Sequence, residues 1–191
     1  LLWSLMTADA RDRILTCSRR LFSERTFAQV SLKDIAQEAE VSVALIVKHF
    51  QNKDSLFEAT VDFSNSSEAL FAGPFEELGR TAIRETLTAP HNAPYSMARM
   101  ITVSTGNPES LNAIGKRIRS DLQEVLVNRI RNEAPHPNPS PEIRAQSALS
   151  LLLGLSMMRR FADTDFLAFS ETSLENHYSR ILQRIINGEA R

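Results

Sequence analysis

Apolar residues recur along this chain at spacings of three and four, and no long stretch alternates with a period of two. Between Ala8 and Arg25, Ile14, Ser18, Leu21 and Phe22 share one helical face, while Arg13, Arg19, Arg20 and Glu24 lie mostly off it. Ser31 is a good N-cap for a second helix, with Asp34 three residues on. The inner face of that helix is Leu32, Ile35, Ala36 and Ala39. Ser42 caps a third helix that ends near His49. Asn52 caps a fourth, from Lys53 to about Phe63, with Leu56, Phe57 and Val61 facing inward. The third is unusual in carrying five consecutive apolar residues, Val43 to Val47. One side of a helix cannot bury all five, so its outer face needs a partner.

Beyond these helices the pattern changes. Small polar residues and Gly73-Pro74 in "SNSSEALFAGPF" mark a break, which places a domain boundary near Ser64. Helices are expected over about Glu76 to Thr88, Tyr95 to Thr105 and Pro108 to Asn132, the last stopping before the proline-rich "APHPNPSP". Another begins after Ser140, with Pro141 at its first position, and runs to about Phe161. The last runs from near Ser170 to Gly188. The expected fold is all-α, divided into a tail (1–7), a short-helix domain (8–63) and a larger helical domain (64–191).

Composition narrows the possibilities. A chain of 191 residues, 42% hydrophobic and 24% charged, can bury a sizeable core without cross-links. The net charge of −1 gives no global attraction to nucleic acid. From Asp9 to Glu58 eight basic and eight acidic residues cancel, so any such attraction must be local. The one cysteine, Cys17, excludes an intramolecular disulfide and suits a reducing, cytoplasmic setting. It reads as a small, half-buried core residue. The apolar start lacks a basic region before it, and no later run is long enough to span a membrane. His49, His91, His136 and His177 show no metal-ligand spacing, and no glycine-rich phosphate loop or nucleophile elbow occurs. An enzyme is not expected, nor a cofactor, a metal or a membrane partner.

The second and third helices, joined around Glu40, Val41 and Ser42, have the lengths of a helix-turn-helix. Val41, Ile46 and Phe50 can then pack inward on Ile35, Ala36 and Phe22. The segments "ILTCSRRLFSERTF", "VSLKDIAQEAEVS" and "LIVKHFQNKDSLF" resemble the DNA-binding domain of the TetR family of bacterial transcriptional regulators. The resemblance follows Leu21-Phe22, Phe27, Asp34-Ile35-Ala36, Ala39, Val41-Ser42, His49-Phe50, Lys53 and Leu56 in order and spacing. It implies an N-terminal three-helix helix-turn-helix DNA-binding domain plus a C-terminal helical bundle for ligand binding and dimerisation. It also implies that the outer face of the third helix enters the DNA major groove. Apolar side chains on that face can contact thymine methyl groups, with Val43, Ala44 and Leu45 deepest; Val47 lies on the same outer face, and Lys48 and His49 would donate to base edges or phosphates. Ser31, Ser42 and Lys53 lie at helix N-termini that favour phosphate, and Lys33 adds a further contact. The sequence departs from the family pattern at Thr26 and Glu40, where glycine is usual, at Val47, where an aromatic is common, and at Val43. Glu40 must tolerate a positive φ or the turn must adjust.

The larger domain, Phe75 to Asn187, resembles the family in length and helix order, and "AQSALSLLLGLSMMRRF" looks like its penultimate helix. An effector pocket between helices would draw on Tyr95, Met97, Met100, Ile101, Ser104, Ile118, Leu155 and Met158, which suits an apolar or amphipathic small molecule. The same residues also suit an ordinary bundle core. A homodimer would form through Ala145, Leu149, Leu152 and Leu153 with Leu174, Tyr178, Ile181, Leu182 and Ile185. Its two-fold axis would match a palindromic double-stranded operator. The function implied is a ligand-responsive, homodimeric repressor. The alternative is a ligand-binding or protein-interaction module with a vestigial DNA head, which the neutral charge and Val47 favour.

Overall fold

The computed structural model describes residues 2–90, 107–160 and 168–188. Among them there is no strand. The helices are α1 (Leu2–Glu24), α2 (Leu32–Glu38), α3 (Val43–Phe50), α4 (Lys53–Thr60), α5 (Ser64–Leu70), α6 (Leu78–Thr88), α7 (Pro108–Arg117), α8 (Glu124–Glu133), α9 (Pro141–Arg160) and α10 (Glu171–Asn187). Two short 3-10 turns lie at Phe27–Gln29 and Phe75–Glu77, and Ile118–Gln123 is wound as π-helix. No described helix is long and apolar enough to cross a membrane.

The helix starts follow local chemistry. The Asp34 amide donates to Ser31 Oγ at 3.1 Å, and the Ser31 amide donates to Asp34 Oδ2 at 2.8 Å, a reciprocal capping box. The hydrogen bonds from Ser31 hold the Asp34 carboxyl below its ordinary value. Ser42 accepts from the Leu45 amide at 3.2 Å, Asn52 from Ser55 at 2.8 Å and Ser170 from Ser173 at 3.2 Å.

The chain divides into two compact units. The first gathers α1–α4 with α7; the second gathers α5, α6, the π segment and α8–α10. In the first unit Phe22, Phe27 and Phe57 form an aromatic cluster. Phe22 stacks on Phe27 with centroids 5.8 Å apart, and Phe57 meets both edge-on at 5.0 and 5.4 Å. Ile14, Ile35, Ile46 and Leu56 are fully buried around it. Helix α7 joins this unit through α4, with Lys116 3.7 Å from Glu58 and Arg117 3.4 Å from Asp62. Both pairs are partly exposed, so apolar packing rather than charge supplies most of that attachment.

In the second unit α6 lies along α10 at very close range. A Cβ built at Gly79 would stand 2.5 Å from the Ser179 carbonyl oxygen and 2.8 Å from the Gln183 amide nitrogen. Gln183 reinforces the crossing, accepting from the Gly79 amide at 2.8 Å and donating to the Phe75 carbonyl at 3.0 Å. Three arginines close carbonyl ends of helices. Arg129 donates to Phe71 and Gly73 at 2.8 and 2.9 Å while paired with Glu133. Arg144, only 3% exposed, donates to Ile186 at 3.0 Å. Arg159 donates to Thr86 and Ala89. Desolvation lowers the Arg144 and Arg159 pKa values, and the hydrogen bond to Glu133 raises that of Arg129.

Several boundaries differ from the sequence reading. Helix α1 begins at Leu2, not Ala8, because no glycine or proline interrupts the residues between. Helix α4 stops at Thr60, short of Phe63. The expected break at "SNSSEALF" is instead α5, whose capping residue, Phe63, donates its amide to Asp121 Oδ2 at 3.0 Å. The long helix from Pro108 is divided by the π segment, and α7 groups with the first unit rather than with the larger domain. The helix expected over Tyr95 to Thr105 lies outside the described residues.

Candidate nucleic-acid interface

Helix α2 ends in a Schellman turn. The Val41 amide donates to the Ala36 carbonyl at 2.9 Å and the Glu40 amide to Gln37 at 3.4 Å. Glu40 sits at φ 53 in the left-handed region, so the turn keeps the geometry that glycine usually supplies. Thr26 takes the other course: it is extended at φ −65, and its turn needs no positive φ. Replacing Glu40 with glycine should therefore raise stability by about 0.5–1 kcal/mol, the left-handed cost outweighing the added unfolded-state freedom. That corresponds to a rise in Tm of roughly 1–4 °C, readable by thermal unfolding.

Alanines at 36 and 39, both buried, let α1 and α3 approach α2 closely. Ile46 and Phe50 point into the core, and Arg11 lies over the Phe50 ring at 5.2 Å. Helix α3 ends at Gln51, φ 68 and ψ −55, the centre of a γ-turn closed by the Asn52 amide and the Phe50 carbonyl at 2.8 Å. Gln51 is invisible to sequence reading, since nothing in its type announces a positive φ. This turn starts α4 almost directly after α3.

Burial of Ile46 and Phe50 leaves one face of α3 outward. Val43 is 36% and Val47 43% exposed, and Ala44 and Lys48 are exposed beside them. At about 100° per residue these four fall within an arc of about 140°. Ser42, at the N-cap, is exposed at the same end, as are Ser31 and Lys33 at the start of α2. Leu45 and His49 are half-buried, and His49 Nε2 is buried with no hydrogen-bond partner among the described residues.

Lys53 corrects an expectation. Its ammonium turns inward, donating to the Phe27 and Val30 carbonyls at 2.9 and 3.0 Å and lying 4.1 Å from the Phe27 ring centroid. The 3-10 turn at Phe27–Gln29 leaves carbonyls pointing back toward α4, and Lys53 satisfies them. Only its backbone amide remains at the α4 N-terminus. Elsewhere in this unit Asp9, Asp12, Arg13, Thr16, Cys17, Glu38 and Glu40 line an acidic groove of about 290 Å³. No cluster suited to a metal occurs among the described residues.

The second unit treats the other candidate residues unevenly. Ala145, Leu149, Leu152 and Leu182 are buried within the chain, and Leu152 and Leu182 border an apolar cavity of about 10 Å³, barely the size of a water. These four face the chain's own core, not an open surface. Leu153, Leu174, Tyr178, Ile181 and Ile185 are half-buried. Of the pocket candidates, Ile118 is half-buried, Leu155 is buried and Met158 is 41% exposed. Tyr95, Met97, Met100, Ile101 and Ser104 lie outside the described residues.

Residues 14–60 match the family model of the bacterial regulatory proteins, tetR family, and residues 76–186 match the tetracyclin repressor-like C-terminal domain. The chain is 26% identical over 153 residues to the HTH-type transcriptional regulator UidR of Escherichia coli K12, covering 76% of this chain and 77% of that one. In fold it is similar to NalD of Pseudomonas aeruginosa, the secondary repressor of the MexAB-OprM multidrug efflux pump. That likeness has a TM-score of 0.62 at 22% identity, over 95% of this chain and 96% of NalD. It is also similar to E. coli NemR in its reduced form, with a TM-score of 0.67 at 19% identity, over 90% and 96% of the two chains.

Proposed function

This chain belongs to the TetR family of bacterial regulatory proteins, and from that premise we propose that it is a cytoplasmic, homodimeric repressor released from a palindromic operator by an apolar or amphipathic effector. The observation that carries the reading is the outward face of α3. A Schellman turn and a serine cap fix that helix on its core, and Val43, Ala44, Val47 and Lys48 are left exposed together. Such a face fits the major groove, with Ser31, Ser42 and Lys33 beside it for the phosphates.

The dimer is assigned to the outer sides of α9 and α10. Leu153, Leu174, Tyr178, Ile181 and Ile185 are only half-buried in the protomer, and Ile143 on α9 is 58% exposed. Two copies joined there present two α3 helices to half-sites about 34–36 Å apart, or a multiple of that spacing. An effector that binds better to the DNA-incompetent arrangement shifts the population away from the operator. Coupling of about 1–3 kcal/mol, typical of such linkage, changes affinity roughly 5–150-fold.

The test is selection of double-stranded DNA from a random library, followed by mobility-shift titration at two salt concentrations. A recovered palindrome, bound specifically and less tightly as salt rises, is the expected result. Recovery of no sequence above background would reject the regulator reading and favour a module with a vestigial head. Lys48→Ala should weaken binding to the selected operator and lower the salt slope by about one for each phosphate no longer neutralised, with Tm nearly unchanged. A large fall in Tm with unaltered affinity would contradict the place given to Lys48.

A further inference from the structure

Helix α3 carries an unusual set of groups for a DNA-reading element. Its sequence, "VALIVKHF", holds no arginine, asparagine, glutamine or carboxylate. Arginine, asparagine and glutamine make paired hydrogen bonds to guanine or adenine edges, and carboxylates accept from cytosine; lysine, which also pairs with guanine, occurs once on α3, as Lys48. His49 adds little, since its ring is half-buried and Nε2 is enclosed. Lys53 is committed to the Phe27 and Val30 carbonyls. What remains outward is Val43, Ala44 and Val47, with Lys48 at one margin. Val43 and Val47 are, with Leu111 of α7, the large apolar side chains exposed in the described part of the first unit.

Resting on the repressor reading, we infer that the operator is recognised mainly through thymine 5-methyl groups that pack on Val43, Ala44 and Val47. Thymine is the base that offers an apolar group in the major groove, and an apolar face gains only from burying one. Val43 and Val47 are four residues apart, about 6 Å along the helix axis. With bases stacked every 3.4 Å or so, the methyl groups they meet fall within about three base pairs. Each half-site therefore carries thymines on one or both strands within that short run. Lys48, at the edge of the face, is one polar side chain beside three apolar ones, and its ammonium reaches one neighbouring guanine or phosphate.

The experiment uses the full-length protein and the operator recovered by selection. Each thymine is replaced, singly and then symmetrically in both half-sites, by deoxyuridine, which pairs identically and lacks the methyl group. Loss of one buried methyl should weaken binding about fourfold, and of a symmetric pair about fifteenfold. In the Val47→Ala variant, whose exposed position leaves the core untouched, the penalty for deoxyuridine at one position should vanish. That selective loss separates a methyl contact from a general change in DNA shape. Binding that stays specific and salt-sensitive, with every deoxyuridine operator within twofold of the parent, would overturn methyl readout and leave the repressor reading standing. A deoxyuridine penalty equal in Val43→Ala, Val47→Ala and the parent protein would also overturn it. Failure to select any operator would remove the repressor reading itself, and this inference with it.

Discussion

Gly79→Ala is expected to unfold the second unit well before the first. Helix α6 passes α10 so closely that the added Cβ would sit 2.5 Å from the Ser179 carbonyl oxygen and 2.9 Å from Gln183 Cβ. The nearest of these atoms are backbone, so no side-chain rotation relieves the clash. The helices must separate, which loosens the Gln183 bonds to Gly79 and Phe75 and the packing of Leu78, Ala82 and Leu182. Alanine's better helix propensity returns about 1 kcal/mol, and overpacking against backbone costs more, leaving a net loss of about 2–3 kcal/mol. Tm should fall by roughly 5–10 °C. Hydrogen exchange should quicken over Leu78–Thr88 and Glu171–Asn187. The same substitution at Gly115 or Gly154, where nothing lies within 4 Å, should be neutral or stabilising by up to about 1 kcal/mol. Equal stability of Gly79→Ala and the parent protein would show that the crossing has room for a methyl group.

Lys53→Ala is the second large effect, and it separates two assignments for one residue. The ammonium holds two carbonyls, of Phe27 and Val30, and covers the Phe27 ring. Hydrogen bonds to a charged donor are each worth about 1.5–3 kcal/mol, and deletion exposes carbonyls that water can partly resolvate. A net destabilisation of about 2–3 kcal/mol follows, centred on the first unit. Operator affinity of the folded protein, measured well below Tm, should change little. The opposite pattern, unchanged Tm with a tenfold or greater loss of affinity, would return Lys53 to the phosphate contact that its position at a helix start suggests.

How much the sequence discloses depends on how local each feature is. Ser31, Ser42 and Asn52 act within three residues of themselves, and all three cap as expected. At the two positions where the resembling family usually has glycine, Glu40 keeps a positive φ while the turn at Thr26 adjusts, and residue type does not tell the two apart. Features fixed by distant partners are hidden. Helix α5 reads as a polar break because part of its N-terminal support is Asp121, 58 residues away. The π segment is a change of hydrogen-bond register, and side-chain periodicity barely shifts over Ile118–Gln123. Lys53 and Arg144 are cations whose types suggest surface, yet both turn to carbonyls from remote segments. The inward Leu152 and Leu182 read as part of an outer dimer face because both helices are apolar on more than one side, and sequence spacing alone does not rank those sides.

The order of segments has a consequence for how the chain comes into being. The aromatic cluster of the first unit joins Phe22, Phe27 and Phe57, all within the first third of the chain, so the helix-turn-helix can assemble while translation continues. The second unit is closed by the hydrogen bond between Gly79 and Gln183, 104 residues apart. Helix α6, which packs early on α5, must therefore wait for its main partner, α10, until late in synthesis. At about 5–20 residues per second that delay lasts roughly 5–20 s. During it the apolar face of α6, with Leu78, Ile83 and Leu87, has no native cover from α10 and is open to chaperones and to aggregation. Each new molecule thus completes its aromatic cluster before α6 meets α10.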